Sequence, residues 1–161
     1  MELTVIRVDD RLIHGQVVFG WIQALGIQQI LVADDATAAN PTQRDLLMLA
    51  VPAGVVADVL SVADAARVIA ASQSNVPTMV LVRGPRELLE LKDAGVPMSS
   101  VNVGNVHTGP GRRRLTKEVH ATDEEIGIWR KLAAEGVRLE ALWIPGQTRT
   151  DLGKLVEQLR D

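Results

Sequence analysis

The stretch Thr4-Val-Ile-Arg-Val-Asp-Asp-Arg-Leu-Ile-His-Gly-Gln-Val17 decides the architecture. Thr4 to Val8, rich in β-branched side chains, predicts a strand. A polar loop through Gly15 follows, and the apolar-faced segment from about Gln16 to Leu25 predicts a helix. Strand, short loop and helix in that order form the opening half of a βαβ unit. The alternation then repeats. Further strands are predicted at Ile30–Ala33, Gly54–Leu60, Thr78–Val82, Ser100–Val103 and Val137–Ile144. Between them lie helices opening at Asn40-Pro41, Ser61, Gly84-Pro85 and Thr122, the last with a Thr122/Glu125 capping-box pattern, and a final helix spans about Asp151–Leu159. The expected fold class is α/β: one doubly wound domain, residues 1–161, whose mainly parallel sheet carries helices on both faces. Such sheets bind ligands outside the carboxyl ends of their strands. The loops Asp9–Gly15, Asp34–Ala38, Arg83–Pro85 and Gly104–Gly111 should therefore converge.

Composition narrows the chemistry. The 161 residues include 17 Lys plus Arg against 20 Asp plus Glu, a net charge of −3, which argues against a nucleic-acid partner. With 47% hydrophobic and 23% charged residues the chain can bury a core. Its longest uncharged apolar run, Leu46–Ala57, is 12 residues and contains Pro52 and Gly54, short of the about 20 a membrane span needs. No signal-peptide pattern opens it, so a cytoplasmic location is expected. Zero cysteines remove disulfides, thiol nucleophiles and zinc–thiolate sites. Only three histidines remain: His14, His107 and His120.

The loop between the first strand and helix concentrates chemistry: Arg7, Asp9, Asp10, Arg11 and His14 fall within eight residues. An imidazole, with an ordinary pKa of about 6.5, is largely unprotonated at neutral pH and can attack phosphorus. Arg11, three residues from His14, offers the planar donor fork that stabilises a phosphoryl group in transfer. Asp9 or Asp10 is expected to fix the ring tautomer, and Arg7, Gly15 and Gln16 to contact the anion, with the free N–H groups of the helix start assisting. The ordinary alternative is a capping histidine among solvated ion pairs.

Elsewhere, Asn105 and His107 stand in the glycine-rich loop, which lacks the Lys-Ser/Thr ending of a P-loop and reads better as a docking loop. Arg112-Arg113-Arg114 reads as a local positive patch or a solvated turn, and His120 as a strand-surface residue. Trp21, Trp129 and Trp143 read as core anchors within regular segments. No metal motif is present, and no cofactor is expected. A rival reading takes Asp9, Asp10 and Asp35, with Asp34, as a phospho-receiver acid cluster; it leaves His14 unexplained and lacks the late lysine.

The string Arg7-Val-Asp-Asp-Arg-Leu-Ile-His-Gly-Gln-Val17, with Trp21 shortly after, resembles the signature of the IIB components of the mannose/fructose/sorbose family of the bacterial phosphoenolpyruvate-dependent sugar phosphotransferase system. Val32-Ala-Asp-Asp35, Val101-Asn-Val-Gly-Asn105, Gly111 and the segment from Gly136-Val137 to Pro145 fall in the family's order. Asn102-Val-Gly-Asn105 and Pro145-Gly146 resemble its N-acetylgalactosamine branch, while Gln147 and Pro110 depart from the common pattern. The resemblance implies that His14 accepts a phosphoryl group on Nδ1 from a phosphorylated IIA protein. It further implies transfer to a sugar held by membrane IIC and IID components, with Arg11 as the phosphate-stabilising arginine and the protein peripheral to the transporter. A non-catalytic regulatory binding module is the remaining alternative.

Overall fold

The computed structural model describes residues 1–160, apart from the side chains of Gln16 and Val17. Strands β1 (Glu2–Asp9), β2 (Gln29–Ala33), β3 (Val56–Leu60), β4 (Pro77–Val82), β5 (Ser100–Asn105), β8 (Arg138–Ala141) and β9 (Thr150–Asp151) form one sheet in the order β3-β2-β4-β1-β5-β8-β9. All its pairings are parallel except β8 with β9, so the sheet is mainly parallel as expected. Strands β6 (Arg113–Arg114) and β7 (His120–Ala121) make a separate antiparallel pair.

The helices α1 (Gly15–Leu25), α2 (Asp35–Ala38), α3 (Pro41–Leu49), α4 (Val62–Ala71), α5 (Pro85–Asp93), α6 (Asp123–Ala134) and α7 (Leu152–Gln158) divide between the two faces. One core joins α4, α5, α6 and α7 to the sheet through Val62, Leu88, Leu91, Ile126, Trp129, Leu132 and Val156. The opposite core packs Val18, Trp21 and Ile22 of α1 against Ile30, Val32, Met79 and Leu81. Burying one such aliphatic side chain contributes roughly 1.5–3 kcal/mol. Local signals place the helix starts: Asn40, Ser61 and Thr122 each accept the backbone N–H three residues on, and Thr122 with Glu125 completes the capping box.

The departures from expectation are short or terminal. Strand β5 runs two residues further, through Gly104 and Asn105, and β8 stops at Ala141, which leaves Trp143 outside any strand. Asp35–Ala38 is a helical turn rather than a loop, because the Asp34 side chain accepts from Thr37. Strand β1 is fourth of seven and feeds α1 on one face, whereas its neighbours β4 and β5 lead to α5 and α6 on the other. That reversal of direction beside β1 opens the crevice in which doubly wound sheets hold ligands.

Candidate active site

Asp9 ends β1 fully buried and organises the loop that follows. Its Oδ1 accepts from the backbone N–H and Nε of Arg11, each at 3.1 Å, and its Oδ2 from Nη2 of Arg11 at 3.2 Å. This is a bidentate fork, the strongest common arrangement of guanidinium and carboxylate. Nη2 of Arg7 reaches the same Oδ2 at 3.4 Å, and Nε2 of His14 lies 3.8 Å from it. Arg11 is about one-third exposed and its Nη1 makes no hydrogen bond among the described residues, so it can face Asp9 and an incoming anion together.

Leu12 turns the loop back. Its φ of 59° puts a branched, buried residue in the left-handed region, a conformation that costs about 1–3 kcal/mol and tends to mark functional loops. Its N–H donates to the Asp9 carbonyl at 2.9 Å, and its own carbonyl accepts from Nδ1 of His14 at 3.0 Å. In the neutral ring that bond places the proton on Nδ1 and the lone pair on Nε2. Nε2 is buried and makes no hydrogen bond among the described residues. His14 is also the N-cap of α1 in extended conformation, yet its side chain makes no cap hydrogen bond, so it leaves the first-turn N–H groups uncapped. Gly15, at φ 24° with open space around it, lets the chain enter the helix there.

The two acids of the loop separate. Asp9 faces His14, but Asp10 does not orient that ring: its carboxylate accepts from Asn105 Nδ2 at 3.0 Å, from the His107 backbone N–H at 2.8 Å and from the His107 ring. Successive side chains leave a strand on opposite sides, so only one of two adjacent acids can face the histidine. Asp10 instead ties the glycine-rich loop to the active loop, and its carbonyl accepts from Arg83 Nη1 at 2.9 Å. Asn105 and His107, expected to form a docking loop, thus lie at the same edge as His14, with His107 65% exposed.

Arg7 departs furthest from expectation. It is wholly buried and cannot touch an incoming phosphate. Its guanidinium donates to Asn102 Oδ1, to the carbonyls of Leu142 and Trp143 at 3.0 and 2.9 Å, and to Asp9. It lies 5.1 Å from the centre of the Trp21 ring, a cation–π distance. A Cβ on Gly104 would collide with it, which explains a glycine inside that strand. Burial pulls its pKa down to about 10, against the opposing charge of Asp9. Trp21 braces this arrangement from α1 by donating to the Trp143 carbonyl at 3.0 Å. The side chain of Gln16 lies outside the described residues.

The end of β2 holds a second acid–arginine pair that sequence reading did not single out. Asp34 accepts from Thr37 and from Nε and Nη2 of Arg83, at 3.3 and 3.1 Å. Burial would raise its pKa, but hydrogen bonds from Arg83 and Thr37 outweigh that and hold it below the ordinary carboxylate value. The available signal was a lone arginine closing β4 directly before Gly84-Pro85. Arginines neutralise Asp9 and Asp34, two of the four acids on which the receiver reading rests. No group of three or more His, Asp or Glu with metal-holding geometry occurs among the described residues. The basic run is also partly neutralised, since Arg112 pairs with Glu125 and Arg113 with Asp123, leaving Arg114 as its exposed member. His120 is half-buried in β7, its ring at the Val106 carbonyl.

Fold and site together define a class: a doubly wound α/β protein whose histidine stands beside an arginine fork and an uncapped helix start at the carboxyl edge of the sheet. Within that class, the chain belongs to the sorbose-subfamily IIB components of the phosphotransferase system, whose family model matches residues 3–161. It is 31% identical over 160 residues to the fructose-specific EIIB component of Bacillus subtilis, covering 99% of this chain and 98% of that protein. It is equally identical to the mannose-specific EIIAB component of Escherichia coli K12, of which it spans 50%. The solved IIB domain of the sorbose permease from Klebsiella pneumoniae superposes with a TM-score of 0.93 at 29% identity, covering 99% of each chain. Membership assigns the chain a sugar-phosphotransfer role in that system. Among the described residues, no helix is long and apolar enough to cross a membrane.

Proposed function

We propose that His14 accepts a phosphoryl group on Nδ1 from a phosphohistidine of a IIA protein and passes it to a sugar held by membrane IIC and IID components. The observation that carries this reading is the His14 ring, poised between the Asp9–Arg11 fork and the uncapped start of α1. In the step, the Nδ1 lone pair attacks phosphorus, the donor's P–N bond breaks, and its electron pair returns to the donor ring. Nδ1 must first give up the proton it shares with the Leu12 carbonyl. Moving that proton to Nε2 would free the Nδ1 lone pair and point an N–H toward Asp9 Oδ2, 3.8 Å away, which can accept it as the ring shifts. Arg11 and the α1 N–H groups then meet the charge on the transferring group. Asn105 and His107 belong to the docking surface, and the protein works in the cytoplasm against the transporter. We assign sugar choice to the membrane components, since relatives named for fructose and mannose are equally identical to this chain, at 31%.

The test is to incubate the protein with phosphoenolpyruvate, the general phosphotransferase proteins and a IIA protein. An acid-labile, base-stable phosphate should form on His14 and be absent in His14→Ala. Label persisting in His14→Ala overturns the reading. A protein that binds IIA and takes no label identifies a regulatory binding module instead.

A further inference from the structure

The buried guanidinium of Arg7 takes no part in the transfer described above, yet it is wholly enclosed at the centre of the sheet. Enclosing a cation is costly unless it is paired, and its Nε still lacks a hydrogen-bond partner. The neutral carbonyls and the Asn102 amide satisfy its other donors, and the acid it meets is Asp9. Asp9 is also the acid that faces His14.

Resting on the phosphohistidine reading, we infer that Arg7 is a positioning residue which acts through Asp9 to set how readily His14 gives up its proton. The charged groups around this chain of contacts are few. From β1 come Arg7 and Asp9, and from the active loop Arg11. Helix α1 contributes the Trp21 ring, β5 the neutral Asn102 amide, and the segment after β8 the carbonyls of Leu142 and Trp143. Two guanidiniums therefore share one carboxylate, and Asp9 presents His14 with a largely cancelled charge. Remove the buried cation, and Asp9 becomes a stronger partner for the imidazolium. The ring then holds its proton to higher pH and is a poorer nucleophile at neutrality.

The experiment follows His14 by NMR titration, alongside the pH profile of phosphoryl acceptance, in wild type, Arg7→Lys and Arg7→Met. Arg7→Met should raise the His14 titration midpoint by about 0.5–1 unit, as expected for a charge acting at this range. The lower limb of its rate profile should shift equally, so that transfer is several-fold slower at pH 6 and near wild type at pH 8. Arg7→Lys keeps the charge and should hold the midpoint within about 0.3 unit of wild type. Should Arg7→Met not fold, Gly104→Ala decides, since its Cβ displaces the guanidinium while keeping every charge. A rate lost equally at all pH values with an unmoved midpoint makes Arg7 merely structural and overturns the inference. If wild type takes no label on His14, the functional reading fails; if it takes label and the midpoint stays put, this inference alone fails.

Discussion

Two acid–arginine knots sit on the carboxyl edge of the same sheet, one at the end of β1 and one at the end of β2. At β2, Asp34 spends its oxygens on Thr37 and Arg83 and so closes a helical turn. At β1, Asp9 is held by Arg7 from beneath and Arg11 from the front, and a histidine stands 3.8 Å away. Both knots pair a strand-end aspartate with arginine. What differs is the neighbour: each carboxylate accepts four hydrogen bonds, but the Asp34 knot is a local cap and tie, whereas the Asp9 knot stands beside the His14 ring.

The largest expected effect breaks the reactive knot. Arg11→Ala should slow phosphoryl acceptance by about 10²–10³-fold, the size of losing one preorganised charge-stabilising donor. Because its side chain also satisfies the fully buried Asp9, chemical denaturation should show a loss of about 1–3 kcal/mol in stability as well. An unchanged transfer rate would show that the α1 start alone handles the anion.

Asp34→Ala should act on stability and leave transfer nearly intact. It removes a buried cap and should cost about 1–2 kcal/mol in urea unfolding. Arg83 keeps its bond to the Asp10 carbonyl, so transfer should stay within about threefold of wild type, ~0.6 kcal/mol. The pH dependence follows from the sign of the shift. Asp34 titrates below its ordinary value when folded, so its contribution is complete above about pH 4 and fades as pH falls through the folded-state pKa. The stability gap between wild type and Asp34→Ala should close over that acid range and remain constant from pH 5 to 8.

The smallest effect belongs to Glu87, in the first turn of α5 near Asp34. Burial chiefly, with the charge of Asp34 adding to it, raises its pKa above the ordinary glutamate value. A raised carboxyl favours the folded state while protonated and loses that advantage as pH climbs through its folded pKa. Glu87→Gln should therefore be slightly more stable than wild type at pH 7 and indistinguishable from it near pH 4, as read by thermal unfolding.

The long elements were legible because each carried its own punctuation: Asn40-Pro41, Ser61 with Asp64, and Thr122 with Glu125 open helices where their side chains cap them. Two-residue strands such as Arg113–Arg114 and Thr150–Asp151 have no room for an alternating pattern, and pairing with distant chain defines them. In the site, the residue types of the loop were readable but their directions were not. Nothing local distinguishes Asp9 from Asp10; the sheet does so, by turning one toward His14 and the other toward His107. Arg7 was misplaced for a related reason. Arginines usually stay at the surface, and only the assembled fold reveals the carbonyls, the amide and the aromatic ring that admit this one.

Leu12 has one foot in each of two worlds. Its backbone shapes the reactive loop, while its side chain is locked among the hydrophobic residues beneath α1, Trp21 and Ile22 included. The loop is thus a cocked spring whose catch is hydrophobic packing. Loosening that packing would let Leu12 leave the left-handed region and withdraw its carbonyl from His14 without touching a single polar atom of the site.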